Sequence, residues 1–102
     1  MPHRIRLRGP WEYEPLTRCF TRRFHRPTSL TATSRVWLVV TTADSPVRVN
    51  LNSQILGEIT PRCAARFEIT SNLGSQNLIS IIVARPGEFI GQVSLEIEEA
   101  TV

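Results

Sequence analysis

The side chains that could carry out acid–base chemistry are few in this sequence. The best carboxylate pair is Glu96 and Glu98, two residues apart in a segment where apolar and polar residues alternate. A glycosidase needs two carboxyl groups about 5–10 Å apart, one of them with a raised pKa. The spacing fits, but the alternation predicts a strand on which both side chains face solvent, where nothing raises a pKa. We therefore expect a solvated face and not a catalytic pair.

Motifs for nucleophilic, phosphate or metal chemistry are also missing. The sequence contains no G-x-S-x-G elbow, no G-x-G-x-x-G and no P-loop, and neither His3 nor His25 lies in a triad context. Two histidines and one aspartate, Asp44, are too few for a zinc or calcium site. Cys19 and Cys63 lack metal or redox spacing, so we expect reduced thiols packed as small hydrophobic side chains. The sequence predicts no enzyme activity, no metal and no cofactor.

Composition predicts one globular domain covering residues 1–102. Hydrophobic residues are 41% and charged residues 21% of the chain, which argues against disorder. No apolar run approaches the roughly 20 residues of a membrane helix, and the basic N-terminus lacks the apolar core of a signal peptide. These features predict a cytoplasmic protein without a membrane partner.

All twelve lysine or arginine positions hold arginine, a usage that indicates codon bias in a GC-rich genome. The first 26 residues have a net charge of +5 (seven Arg against two Glu), whereas the rest have −2 (five Arg against seven acidic residues). An arginine-rich front could bind a nucleic acid or another polyanion. The simpler interpretation, which we favour, is that Arg4, Arg6 and Arg8 form the solvent-exposed face of a strand whose buried face holds Ile5 and Leu7.

Short apolar or alternating segments separated by turns dominate the chain, and helical spacing is nearly absent. Strands are predicted over residues 3–8, 11–14, 17–25, 35–42, 46–52, 54–58, 65–70, 77–85 and 91–99. Turn residues, including those at 44–46 and 86–87, separate them about every ten residues. This pattern predicts an all-β antiparallel β-sandwich.

Two details of the sandwich can be predicted. Residues 35–40 and 77–84 are apolar at both parities, which predicts central strands. Residues 47–58 predict a hairpin in which Asn52 takes the left-handed conformation. Because Ser53 follows Asn52 where glycine would be usual, we expect a turn longer than two residues, with Arg48 and Asn50 facing water.

Six segments, in this order, resemble the N-terminal sugar-binding domain of family 2 glycoside hydrolases, the β-galactosidase and β-glucuronidase relatives. They are RRFHRP, RVWLVV, DSPVRVNLN, ILGE, RFEITSNL and QNLISIIV. The resemblance spans roughly residues 6 to 99 and implies a galactose-binding-domain-like jelly roll of about eight to nine strands. In that family the reaction belongs to a separate (β/α)₈ barrel of about 250 residues, for which this chain is too short. The resemblance implies a non-catalytic accessory domain.

Sugar sites combine an aromatic ring with charged or amide side chains. The aromatic candidates also have a simpler explanation as core residues. In the resembled family the loop after the hairpin approaches the catalytic barrel, which suggests polar candidates there, although the usual histidine and glycine of that loop are missing here. The candidate ligand-binding residues are Glu58, Arg62, Arg66, Trp11 and Tyr13, with Trp37 as a further ring.

Three functions remain open. The first is a carbohydrate-binding module, which requires one of the three rings to lie exposed beside polar groups in a concave site. The second is a structural or protein-interaction domain that has lost the sugar site and self-associates through a sheet edge. The third and least favoured is a polyanion or nucleic-acid binder that uses the arginine-rich front.

Overall fold

The computed structural model describes residues 3–41, 45–84 and 91–99, which form nine β-strands and one short 3₁₀ turn. Within these ranges no helix is long and apolar enough to cross a membrane. All nine predicted strands are confirmed, while the predicted turn at 86–87 and Asp44 of the turn at 44–46 lie outside the described residues. The strands are β1 (His3–Arg6), β2 (Glu12–Glu14), β3 (Cys19–His25), β4 (Ser34–Thr41), β5 (Val47–Leu51), β6 (Gln54–Ile59), β7 (Ala64–Glu68), β8 (Gln76–Val83) and β9 (Gln92–Glu99).

The strands form two antiparallel sheets that pack as a sandwich. One sheet has four strands in the order β1-β9-β4-β7, and the other has five in the order β2-β3-β8-β5-β6. The two most apolar strands, β4 and β8, have hydrogen-bonded neighbours on both sides. This pairing confirms the prediction that both strands are central. Apolar residues at both parities suit that position, because a central strand loses most of its solvent contact on both faces.

The core lies between the sheets and follows the period-two alternation of the strands. Leu38 of β4 is paired with Leu95 of β9 in one sheet, and Val49 of β5 with Ile81 of β8 in the other. All four side chains are at most 2% exposed. Full burial of each such side chain stabilises the fold by about 1.5–3 kcal/mol, so these layers hold the two sheets together.

The β5–β6 hairpin has a tighter turn than predicted. Leu51 is paired with Gln54, so the turn contains only Asn52 and Ser53, with φ values of 50° and 69°. These are the dihedrals of a type I′ turn. The left-handed conformation of Asn52 is confirmed, but the expected longer turn is wrong, because Ser53 also adopts the left-handed region.

Strand β7 ends earlier than predicted, because Thr70 begins a 3₁₀ turn (Thr70–Asn72). The Val36 amide donates a 2.9 Å hydrogen bond to Thr70 Oγ1, and the Ile69 amide donates to the Val36 carbonyl at 2.8 Å. The threonine hydroxyl thus takes the place of a backbone acceptor, and the chain leaves the sheet.

Candidate functional site

The predicted ligand-binding residues lie on separate parts of the sandwich. Trp11 and Tyr13 lie at β2, one edge of the five-stranded sheet, and Glu58 lies on β6, its opposite edge. Arg62 is in the connection from β6 to β7 and has a φ of 60°. Arg66 lies on β7, an edge of the four-stranded sheet. The structure therefore does not gather the five side chains into one site.

The two rings at β2 are half-buried. Trp11 packs against the core cluster, and its Nε1 donates a 3.2 Å hydrogen bond to the Leu7 carbonyl. The Tyr13 ring lies 4.5 Å from the Phe20 ring, centroid to centroid, and is tilted by 35°. Each ring leaves only part of its surface open to a ligand.

Glu58 is held by its hairpin partner. Arg48 Nη2 donates to Glu58 Oε1 at 2.9 Å, and both side chains are at least half exposed. Arg48 therefore faces water, as predicted, whereas Asn50 is half-buried and its Oδ1 lacks a hydrogen-bond partner among the described residues. An exposed ion pair contributes about 0–1 kcal/mol, so it would be easily exchanged for a ligand.

The connection after β6 corrects one prediction about cysteine. Cys63 is exposed in this connection, and Thr60 Oγ1 donates a 3.0 Å hydrogen bond to its Sγ. The expectation of a packed small hydrophobic side chain is wrong for Cys63, because the residue is exposed in the surface connection between β6 and β7. Cys19, on β3, is half-buried.

Arg66 does join a cluster, on the outer face of the four-stranded sheet. Its guanidinium carbon lies 4.3 Å from the centroid of the Trp37 ring, a cation–π geometry. Its Nη2 lies 3.7 Å from Glu96 Oε1, while Arg4 Nη2 donates to Glu96 Oε2 at 3.0 Å. The arrangement follows from register, because Arg4, Glu96 and Trp37 lie side by side on β1, β9 and β4.

This cluster overturns the expectation that Glu96 is solvated. Glu96 is only 9% exposed, because the long side chains of Arg4 and Arg66 lie over it from the neighbouring strands. The Glu96 carboxylate is paired with two arginines. The indole Nε1 of Trp37 is buried without a hydrogen-bond partner among the described residues. Arg66 also covers one face of this ring, so a sugar could stack there only by displacing it.

A groove that sequence reasoning missed opens where β2 ends. Glu12 is paired with Thr21 in the last β2–β3 pair, so β3 continues past it without a neighbour on that side. The Gly9–Pro10 peptide bond is cis, and Pro10 supplies one wall. The groove has a volume of about 360 Å³. It is lined by Pro10, Glu12, Thr21, Arg22, Arg23 and Leu78.

The charged side chains of the groove differ in how they are held. Arg22 donates from Nε to the Arg8 carbonyl at 2.6 Å and from Nη1 to the Arg23 carbonyl at 3.0 Å. The side chains of Glu12 and Arg23 are exposed, and neither side chain makes a hydrogen bond or ion pair with another described residue. Their polar atoms can therefore bind a ligand without first breaking an internal contact.

Sequence patterns contain little sign of this groove. Glu12 lies between the two predicted aromatic residues, but alternation puts its side chain on the opposite face of β2 from Tyr13. Arg23 comes next to Leu78, 55 positions along the chain, only through the β3–β8 pairing. Among the described residues, no group of three or more histidine, cysteine, aspartate or glutamate side chains could hold a metal ion.

Comparison with solved structures places this fold among parts of larger enzymes. The Bifidobacterium dentium β-glucuronidase, complexed with coumarin-3-O-glucuronide, matches 80% of this chain with a TM-score of 0.66 and 22% identity. The FMN-binding β-glucuronidase of Faecalibacterium prausnitzii matches 79% with a TM-score of 0.63 and 18% identity. A calcium-binding mutant of Bacteroides uniformis β-glucuronidase 2 matches 78% with a TM-score of 0.61 and 19% identity.

These matches concern the fold, since all three identities are low. No family model matches the chain, and no curated protein matches its sequence. The chain spans only 21%, 15% and 11% of the three glucuronidase chains. The resemblance drawn from the sequence is thus confirmed at the level of architecture: this chain is a β-sandwich like one that forms a small part of β-glucuronidases.

Proposed function

We propose that the chain is a non-catalytic β-sandwich module that binds a carbohydrate or a similar polyol in the groove beside β2. The observation that carries this proposal is a concave surface of about 360 Å³ with a carboxylate and a guanidinium that have no partner among the described residues. The volume lies at the lower end of the roughly 300–1,000 Å³ typical of small-molecule sites, which suits one or two sugar rings.

The residue types suit hydroxyl-rich ligands. The Glu12 carboxylate accepts hydrogen bonds, the Arg23 guanidinium donates them, and the Thr21 hydroxyl can do either. Pro10 and Leu78 add apolar surface for the C–H faces of a sugar ring. The groove has no aromatic platform, so we expect weak binding that depends mainly on hydrogen bonds to charged groups, each contributing about 1.5–3 kcal/mol.

A glycan array followed by calorimetry tests this function. We expect at least one saccharide to bind the unmodified chain, and Glu12→Gln and Arg23→Gln each to weaken it about tenfold or more. The control is Arg35→Gln, an equally exposed arginine on the outer face of the other sheet, which should leave affinity unchanged. Absence of saccharide binding, or equal losses in the control, would contradict the proposal.

A structural or protein-interaction role is the second candidate. It is supported by the outer face of the four-stranded sheet, where half-buried Trp37 has an unpartnered indole N–H among the described residues. A partner carbonyl could accept that hydrogen bond only after displacing the side chains that bury the Nε1. Under this hypothesis Trp37→Phe weakens association with a partner or a second copy, as measured by sedimentation, whereas Glu12→Gln has no effect. A monomer that retains no partner would exclude it.

A further inference from the structure

We propose that the polyol bound in this groove carries an anionic phosphate or sulfate ester, held at the rim formed by Arg22 and Arg23. This inference rests on the proposed function, since it assigns the ligand class of the same groove. It gives a role to Arg22 and Arg23, two arginines of the arginine-rich front of the sequence.

The first argument is local charge. The groove is lined by two arginines and one glutamate. The nearest acidic residue on β2 is Glu14, whose Oε1 accepts a 3.0 Å hydrogen bond from the Leu16 amide and which is not part of the lining. Arg4, by contrast, is neutralised by Glu96 on the other sheet. The groove therefore keeps a net positive charge that favours an anion.

The second argument is the relative position of Glu12 and Arg23. Thr21 is paired with Glu12, and Arg23 lies two residues further along the same face of β3, a diagonal position that long side chains can reach. Even so, Glu12 and Arg23 form no ion pair in the structure. The Glu12 carboxylate and the Arg23 guanidinium are therefore not in contact with each other, so one ligand can place hydroxyls at Glu12 and an anionic group at Arg23.

The third argument is preorganisation. Because two backbone carbonyls fix the Arg22 side chain, its charge stays beside the groove before any ligand arrives, and little side-chain entropy is lost on binding. Arg23 keeps its whole donor fork for the oxygens of an ester, a geometry that arginine binds in bidentate fashion. Two guanidinium groups beside one anionic group suit a phosphate or sulfate better than a neutral hydroxyl.

Calorimetry with matched sugars tests the inference. Glucose, galactose and mannose are titrated into the unmodified chain alongside their 6-phosphates and 6-sulfates, with inorganic phosphate as a further probe. We expect the esters of at least one sugar to bind about tenfold tighter than the neutral sugar. Arg23→Gln should remove this preference, Glu12→Gln should keep it while weakening both forms, and Arg35→Gln should change neither.

The outcomes separate the two proposals. Equal affinity for a neutral sugar and its esters overturns this inference and leaves the polyol site standing. No binding of any sugar or ester overturns both, and so does inorganic phosphate binding as tightly as the sugar phosphates, because hydroxyl groups would then contribute nothing. A difference between phosphate and sulfate esters identifies which of them the rim prefers.

Discussion

At the scale of single residues, the amide side chains of Asn52 and Asn77 make hydrogen bonds to backbone groups and to each other. Asn77 is 3% exposed, and its Oδ1 accepts hydrogen bonds from the Gly74 amide at 2.9 Å and from Asn52 Nδ2 at 3.0 Å. Asn52 Oδ1 in turn accepts from the Leu78 amide at 2.8 Å. These bonds tie the β5–β6 turn to β8, so two asparagines 25 positions apart fix one end of the sandwich.

Replacement of Asn77 by alanine is expected to lower the free energy of unfolding by about 1–3 kcal/mol, because it leaves buried donors and acceptors around it without partners. The neighbouring Gln76→Ala is a matched control, since Gln76 is exposed, and should change stability by less than about 0.5 kcal/mol. Urea denaturation followed by circular dichroism measures both. Equal effects would show that the asparagine network does not stabilise the turn.

Glu99 makes stability depend on pH. Hydrogen bonds from the Ser34 hydroxyl and then from Thr31 hold the pKa of the Glu99 carboxyl below its ordinary value of 4.5. A carboxyl whose folded-state pKa is lowered stabilises the fold above its unfolded-state pKa and loses this effect as the pH falls through the folded-state value. We expect Glu99→Gln and Ser34→Ala each to flatten the loss of stability below about pH 4.5, as measured by urea denaturation from pH 7 to pH 3. A control that removes no ionisable group, Gln76→Ala, should keep the slope.

At the scale of elements, strands could be predicted from the sequence but their ends and turns could not. Alternation marks a strand because one face must be buried, and apolar residues at both parities correctly predicted that β4 and β8 are central. The predicted turn length was wrong at Ser53, whose left-handed φ belongs to a turn that Asn52 ties to the distant Asn77. The end of β7 failed for a similar reason, since the Thr70 hydroxyl bonds to Val36 on another strand.

The Asn52–Ser53 turn provides a prediction at this scale. Ser53→Gly is expected to raise the free energy of unfolding by about 1 kcal/mol, because glycine takes a φ of 69° without the Cβ clash. Ser75→Gly serves as the control, because Ser75 does not have a positive φ; it should be neutral or slightly destabilising. Thermal unfolding measures the two variants side by side. A destabilised Ser53→Gly would mean that the serine hydroxyl contributes more than the backbone strain costs.

At the scale of the whole molecule, the candidate groove depends on contacts between distant segments. Glu12, Thr21 and Leu78 meet only because β2, β3 and β8 are neighbours in one sheet. The sequence could indicate sandwich architecture, since that needs only pattern, but not this grouping, which needs strand order and register. The same limit explains why the burial of Glu96 could not be predicted. Its neighbours Arg4 and Arg66 lie on β1 and β7, the two edge strands of its sheet.

Because both sheets share one core, unfolding is expected to be a single cooperative transition. Leu38→Ala should lower the free energy of unfolding by about 2–5 kcal/mol, since Leu38 is fully buried between the sheets. That is a large part of the roughly 5–15 kcal/mol that stabilises a typical domain.

The control variant, Leu16→Ala, makes the same chemical change at a site that is 94% exposed. Its free energy of unfolding should stay within about 0.5 kcal/mol of that of the unmodified chain. Circular dichroism and tryptophan fluorescence should give one midpoint for each protein; two separate midpoints would mean that the sheets unfold independently and that Leu38 stabilises only one of them.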